Sequence, residues 1–221
     1  MEHIGKGFGT QVIHSGVTAE KGYRSLGMPI YQTSTFYFDT CEQGGRCFSG
    51  EENGYYYSRM NNPTVNLVEE KIAAMEGAEA AVAASSGMGV ISSALWSIAG
   101  AGKHILADTT LYGCTFSLLN HGLTRYGVDV TFLDTSDLKA VAENLRENTC
   151  AVYLETPANP TLKITDIQAV AEIVHRYNPA IKVVVDNTFA TPYLQRPLEL
   201  GADVVVHSAT KFLNGHGDAV A

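Results

Sequence analysis

From about residue 79 to residue 207, short apolar runs alternate with stretches of near-helical apolar spacing, and this alternation restricts the fold more than anything else in the chain. The runs near 79–84, 103–107, 128–133, 149–155, 181–186 and 203–207 read as strands, and the segments 88–99, 113–125, 136–147, 166–177 and 193–200 between them read as helices. Such an order builds an α/β domain in which a mainly parallel sheet is wrapped by helices through right-handed crossovers. Upstream, Asn62-Pro63 reads as a helix cap; Val65, Leu67, Val68, Ile72 and Met75 follow at helical spacing, and Gly77 ends the helix. Residues 1 to about 60 carry many Gly, Tyr and Thr with little helical pattern and are expected to form an extended arm or interface segment, leaving 61–221 as the large domain.

Two of the runs close on residues with chemistry. Val183-Val184-Val185 ends at Asp186, and Val204-Val205-Val206 leads through His207-Ser208-Ala209-Thr210 to Lys211. Parallel strands would bring this carboxylate and this amine out on one C-terminal sheet edge, where open α/β folds bind ligands. A pyridoxal phosphate site needs that pair: a lysine to condense with the aldehyde, and an aspartate to keep the pyridine nitrogen protonated. The competing reading makes each a polar strand terminus, and His207 beside them reads as structural.

Ser85-Ser86-Gly87-Met88-Gly89 stands between an apolar run and Val90-Ile91-Ser92, the pattern of a strand, a glycine turn and a helix N-terminus. Backbone N–H groups at such a turn hold phosphate with help from the helix dipole, although the same residues also serve as an ordinary cap. Ser208 and Thr210 supply hydroxyls beside Lys211 for the same anion. Two anion-binding turns together with the Asp and Lys pair form a constellation that no one of them makes alone.

These residues carry a resemblance to the Cys/Met-metabolism, or transsulfuration, family of pyridoxal phosphate enzymes of fold type I. Its stretches are Pro29-Ile30-Tyr31-Gln32-Thr33-Ser34-Thr35-Phe36, Tyr57-Ser58-Arg59 with Asn62-Pro63-Thr64, Ser85-Ser86-Gly87-Met88, Glu155-Thr156-Pro157-Ala158-Asn159-Pro160, Asp186-Asn187-Thr188-Phe189-Ala190-Thr191-Pro192 and Ser208-Ala209-Thr210-Lys211. Within the family the chain is most similar to the branch that eliminates a thiol from methionine: Cys114 in Leu111-Tyr112-Gly113-Cys114 stands where the cystathionine enzymes usually have glycine, and Gly215-His216-Gly217-Asp218 fits the same branch.

The resemblance implies a role for each matched residue. Lys211 would hold the cofactor as a Schiff base and shuttle substrate protons, and Asp186 would pair with the pyridine nitrogen. Ser86, Gly87, Met88, Ser208 and Thr210 would cradle the phosphate. Tyr112 would stack on the ring and protonate the departing thiolate, Cys114 would line the pocket near the substrate sulfur, and Asn159 would lie near the cofactor's 3-oxygen and the substrate carboxylate. Tyr57 and Arg59 would reach a neighbouring subunit's phosphate, which implies shared active sites in a dimer or dimer of dimers.

The implied reaction is α,γ-elimination of L-methionine or a related sulfur amino acid to a thiol, ammonia and 2-oxobutanoate, with cystathionine γ-lyase or γ-synthase activity as the alternative. In the family, the large domain continues past the lysine and a further domain supplies an arginine for the substrate carboxylate. This sequence stops at Ala221, so a C-terminally truncated product or fragment is expected, and a noncatalytic cofactor-binding or oligomer-joining fragment is the alternative of another class.

Composition sets limits. The 221 residues, 45% of them hydrophobic, suffice for one sizeable core. No apolar stretch is long enough to span a bilayer, the first seven residues lack the apolar centre of a signal peptide, and a cytoplasmic location is expected. A net charge of −8 without a basic cluster argues against a nucleic-acid groove. Cys41, Cys47, Cys114 and Cys150 show no Cys-x-x-Cys spacing, so neither a metal site nor a redox pair is expected.

Overall fold

Valine-rich runs without polar alternation suit strands covered on both faces, and the computed structural model, which describes residues 7–17 and 25–221, places them so. Strands β1 (His104–Asp108), β2 (Asp129–Leu133), β3 (Thr149–Glu155), β4 (Lys182–Asp186) and β5 (Val204–Val206) form one sheet in the order β2-β1-β3-β4-β5. Every neighbouring pair is parallel. All C-terminal strand ends therefore share one edge.

The chain divides into two compact units, residues 1–83 and 84–221. In the second unit, the two-residue side-chain period of a strand sorts the core into two layers. Ile105, Ala107, Tyr153 and Val184 face α4 (Gly87–Ile98) and the helical run from α5 (Gly113–Ser117) onward, through Ile91, Leu95, Leu119 and Leu123. Leu106, Val152, Leu154, Val183 and Val185 face α6 (Leu138–Asn144) and α7 (Ile167–Tyr177), through Val141, Val170 and Val174. Each large aliphatic side chain removed from water in these layers stabilises the fold by about 1.5–3 kcal/mol.

Local signals set the helix ends. Ser86 accepts the N–H of Gly89 at 3.1 Å to cap α4, and Asp166 accepts that of Ala169 at 3.0 Å to cap α7. His175 and Arg176 complement the negative end of the α7 dipole.

In the first unit, α1 (Phe8–His14), α2 (Cys41–Ser49) and α3 (Pro63–Glu76) are present. Asn62 caps α3 through the N–H of Thr64 at 2.9 Å, and Gly77 closes the helix with φ 70°. Lys71 of α3 donates to the Val12 and Ile13 carbonyls at 3.1 and 2.7 Å, satisfying the C-terminal end of α1.

Four local expectations differ from the structure. Helices α1 and α2 both lie in the segment expected to be extended; in α2, Thr40 caps the helix through Gln43, but Gly44 and Gly45 at its centre hide the apolar period. Residues 79–84 form no strand ladder among the described residues, and the N–H of Ala83 instead donates to Glu69 Oε1 at 2.8 Å. The expected helix 113–125 changes pitch, α5 being followed by a π turn at Leu118–Gly122 and a 3-10 turn at Leu123–Tyr126; Gly122 permits the widened turn while Leu119 and Leu123 stay buried. The expected helix 193–200 splits into α8 (Thr191–Leu194) and a 3-10 turn at Pro197–Leu200, because Pro197 disfavours helical backbone at Arg196, which is extended. Among the described residues, no helix is long and apolar enough to cross a membrane.

Candidate active site

Three neighbouring strands end in carboxylates at the C-terminal sheet edge: β1 in Asp108, β3 in Glu155 and β4 in Asp186, all buried. Their partners separate their roles. Asp108 receives the Lys163 ammonium at 3.1 Å and the Thr135 N–H at 3.1 Å. Glu155 receives two backbone N–H groups, from Tyr112 at 2.7 Å and from Asn159 at 2.9 Å. Asp186 receives the Thr188 N–H at 3.1 Å and the Tyr153 hydroxyl at a long 3.4 Å, so this carboxylate keeps lone-pair capacity for a further donor. Burial pushes the Asp186 carboxyl pKa up, while its bonds from Thr188 and the neighbouring His207 pull the other way. A cationic N–H brought to this carboxylate would offset its desolvation.

The turn after β5 lies beside that aspartate. Asp186 is the register partner of Val206, Asn187 donates its N–H to the Val206 carbonyl at 3.0 Å, and Ser208 donates its N–H to Thr188 Oγ1 at 2.8 Å. The N–H of Lys211 then donates to the Ser208 carbonyl at 3.1 Å, closing a tight turn that presents Lys211 on an exposed segment.

The first turn of α4 meets the same segment. A Cβ built on Gly87 would lie 2.6 Å from Ser208 Cβ and 2.9 Å from its Cα, a separation only glycine permits. The two predicted anion-binding elements are thus adjacent: the N-terminus of a twelve-residue helix capped by Ser86, and the Ser208 hydroxyl. Met88 extends the same turn into the core beside Thr115 Oγ1, 3.7 Å from its sulfur. The Thr210 hydroxyl is engaged with the backbone of Ala221, donating to its carbonyl at 3.0 Å and accepting its N–H at 2.9 Å.

Tyr112 stands at the N-cap of α5 and is 44% exposed, open to stacking from outside. The neighbouring Cys114 thiol pushes the Tyr112 pKa up. Asn159 lies in the loop between β3 and α7. Ala158 donates its N–H to the Lys163 carbonyl at 3.0 Å, and Lys163 reaches both Asp108 and, at 2.5 Å, Asp134.

Tyr57 and Arg59 belong to the first unit, where Tyr57 bridges Thr35 and the Arg59 guanidinium lies 5.1 Å from the centre of the Tyr57 ring. Asn62 holds this corner by donating to the Tyr31 carbonyl and to Ser58 Oγ, both at 2.9 Å.

In the second unit, the structure therefore brings Ser86, Gly87, Met88 and Ser208 together, and it sets Asp186 beside the turn that leads to Lys211. The arrangement fits a pyridoxal phosphate group: a small-residue cradle at a helix N-terminus for the phosphate, and a buried carboxylate with spare acceptor capacity for the ring nitrogen. Glu155, Tyr153 and Thr188 are site residues that sequence reasoning did not single out. Glu155 carried the same signal as Asp186, an acid closing an apolar run. Among the described residues, no group of three or more His, Cys, Asp or Glu is placed to hold a metal ion.

A model of the Cys/Met metabolism PLP-dependent enzyme family matches residues 9–221. The chain belongs to this family. It is 61% identical over 221 residues to an L-methionine gamma-lyase of Fusobacterium nucleatum, covering all of this chain and 55% of that protein. It is 42% identical over 211 residues to a cystathionine gamma-lyase of Bacillus subtilis, covering 96% of this chain and 53% of that protein. A Campylobacter jejuni family structure, provisionally described as an O-acetylhomoserine (thiol)-lyase and solved with a pyridoxyl-lysine phosphate residue, superposes with a TM-score of 0.90 at 32% identity, over 96% of this chain and 52% of that one. The chain spans about half the length of the curated relatives it matches.

Proposed function

We propose that the chain acts as a pyridoxal phosphate-dependent carbon–sulfur lyase, releasing a thiol from the γ-carbon of methionine or a related sulfur amino acid. The observation that carries this reading is the meeting of α4 with the β5 turn at Gly87 and Ser208, beside Asp186 and ahead of Lys211. When bound, the cofactor supplies an electron sink for bonds breaking at the substrate's α-carbon.

The chain's own groups do the rest. Ser86, Gly87, Met88 and Ser208 would hold the phosphate, joined by Thr210 once its hydroxyl gives up the Ala221 backbone, and Asp186 would keep the ring nitrogen protonated. Lys211 would anchor the aldehyde and, with its amine free, would move protons at the substrate carbons. Tyr112 would cover the ring and give its proton to the departing sulfur. Cys114, two residues on from Tyr112, would line the path of the leaving sulfur, and Asn159 would orient the substrate carboxylate. Residues 61–221 form the cofactor-binding domain and 1–60 an interface segment. Tyr57 and Arg59 bind a neighbouring subunit's phosphate through the bidentate reach of the guanidinium, in a cytoplasmic dimer of dimers.

Methionine is favoured over cystathionine by the likeness, 61% identity against 42%. Assays of thiol and 2-oxo acid release from both substrates test the choice. Faster release from methionine supports the reading; faster release from cystathionine would overturn the substrate assignment.

A further inference from the structure

We propose that Glu155 is a positioning residue: one carboxylate that sets the spacing between Tyr112 and Asn159 by accepting a backbone N–H from each. Its functional meaning rests on the lyase reading above, but the geometry stands apart from it. Glu155 closes β3 as the register partner of Asp186 and is 3% exposed. Its Oε2 accepts the Tyr112 N–H at 2.7 Å, and its Oε1 accepts the Asn159 N–H at 2.9 Å. The two donors lie on different loops, one after β1 and one after β3, and Glu155 is an acceptor common to both.

No cation pairs with Glu155 among the described residues, and the neighbouring carboxylates of Asp186 and Asp108 repel it. Two amide dipoles are therefore what oppose the burial of this carboxylate, and burial still outweighs them and pushes its pKa up, at a position that a merely structural side chain could fill with an apolar group of similar volume. The two oxygens belong to one rigid planar group, so a displacement of either loop is passed to the other. In the lyase reading, Tyr112 serves the leaving sulfur and Asn159 the substrate carboxylate. Glu155 thus fixes the distance between the two ends of the amino-acid substrate, as a length gauge for γ-substituted chains.

Amide hydrogen exchange of the cofactor-free 221-residue chain, with and without Glu155→Gln, tests the geometry. The glutamine retains one acceptor oxygen and turns an NH2 group toward the other donor. The expected result is a loss of protection of roughly tenfold or more at the Tyr112 amide, the Asn159 amide or both, with the amides of β1 and β4 unchanged. Unchanged protection at both would overturn the proposal. Should the variant not fold, the wild-type chain decides by amide NMR: the Tyr112 and Asn159 N–H signals are expected to shift together with the Glu155 carboxyl as pH falls, and independent movement would overturn the common anchor.

The functional half is read separately, with pyridoxal phosphate as the probe. Borohydride trapping on Lys211 in the wild-type chain tests the cofactor reading on its own. With that adduct present, Glu155→Gln and Tyr112→Phe are expected to alter the circular dichroism of the bound cofactor non-additively. Strict additivity would overturn the coupling while leaving the cofactor site intact.

Discussion

Gly87 and Ser208 approach so closely that a side-chain carbon on Gly87 would sit 2.6 Å from Ser208 Cβ. The first turn of α4 and the turn after β5 touch through their backbones and a single small side chain, which lets two sources of anion-binding groups face one phosphate. Gly87→Ala is therefore expected to force the two turns apart at a cost of about 1–3 kcal/mol. Pyridoxal phosphate titration should show affinity lowered roughly tenfold or more, with the same variant losing a few degrees in thermal midpoint. Unchanged affinity would separate this contact from the phosphate site.

Asp186 is an acid whose folded-state pKa lies above its ordinary value, chiefly through burial. Its ionisation opposes folding of the cofactor-free chain: the penalty begins as pH rises through the unfolded value and is complete above the folded one. Asp186→Asn is thus expected to leave the cofactor-free chain as stable at neutral pH or more so, while slowing elimination by roughly a hundredfold or more. Paired urea melts and rate measurements check both signs.

Lys163 joins the buried Asp108 to the exposed Asp134, whose carboxyl it holds down at about 2. Stability from the Asp134 contact is present above the ordinary carboxylate value of 3.8 and is lost as pH falls toward about 2. Exposure of Asp134 keeps that part small. Lys163→Met should flatten this acid limb in urea melts between about pH 4 and pH 2, and should also destabilise the chain at neutral pH by leaving Asp108 without its cation.

His104 is buried between Thr149 Oγ1 at 2.8 Å and Thr131 Oγ1 at 3.0 Å, and burial, with Arg146 nearby, pushes its pKa below 6.5. The folded chain holds this ring neutral. Stability is therefore expected to be full above pH 6.5 and to fall as the pH drops through the lowered folded value. His104→Gln, which does not titrate, should reduce that slope in melts from pH 7 to pH 5, even if its absolute stability is lower.

The proposal that Tyr57 and Arg59 serve a neighbouring subunit's site carries its own forecast. Arg59→Ala and Lys211→Ala homo-oligomers should each be impaired, but unfolding and refolding them together should restore cofactor binding in mixed assemblies, because one site of a mixed dimer keeps both native residues. No recovery on mixing would place Arg59 and Lys211 of the same subunit in one site.

The parts of the fold legible in the sequence are those set by local chemistry. Unbroken valine runs gave β4 and β5 within a residue of their observed ends, so the placement of Asp186 and the approach to Lys211 followed directly. The meeting of Gly87 with Ser208 was legible only as chemistry, two anion-binding turns, and not as a contact. Helix α2 escaped because Gly44 and Gly45 interrupt its apolar face, although its Thr40 and Gln43 cap was there to be read. Glu155 escaped for a different reason: its partners are backbone N–H groups, one of them at Tyr112 on another loop, and no side-chain pattern encodes a bond to a distant amide.

Attachment of the cofactor to Lys211 is read out by incubating the chain with pyridoxal phosphate, reducing with borohydride and mapping the labelled peptide. A single pyridoxyl group on Lys211 that disappears in Lys211→Ala is expected. A folded chain that yields no reduced adduct, or one whose label survives that substitution on another lysine, would contradict it.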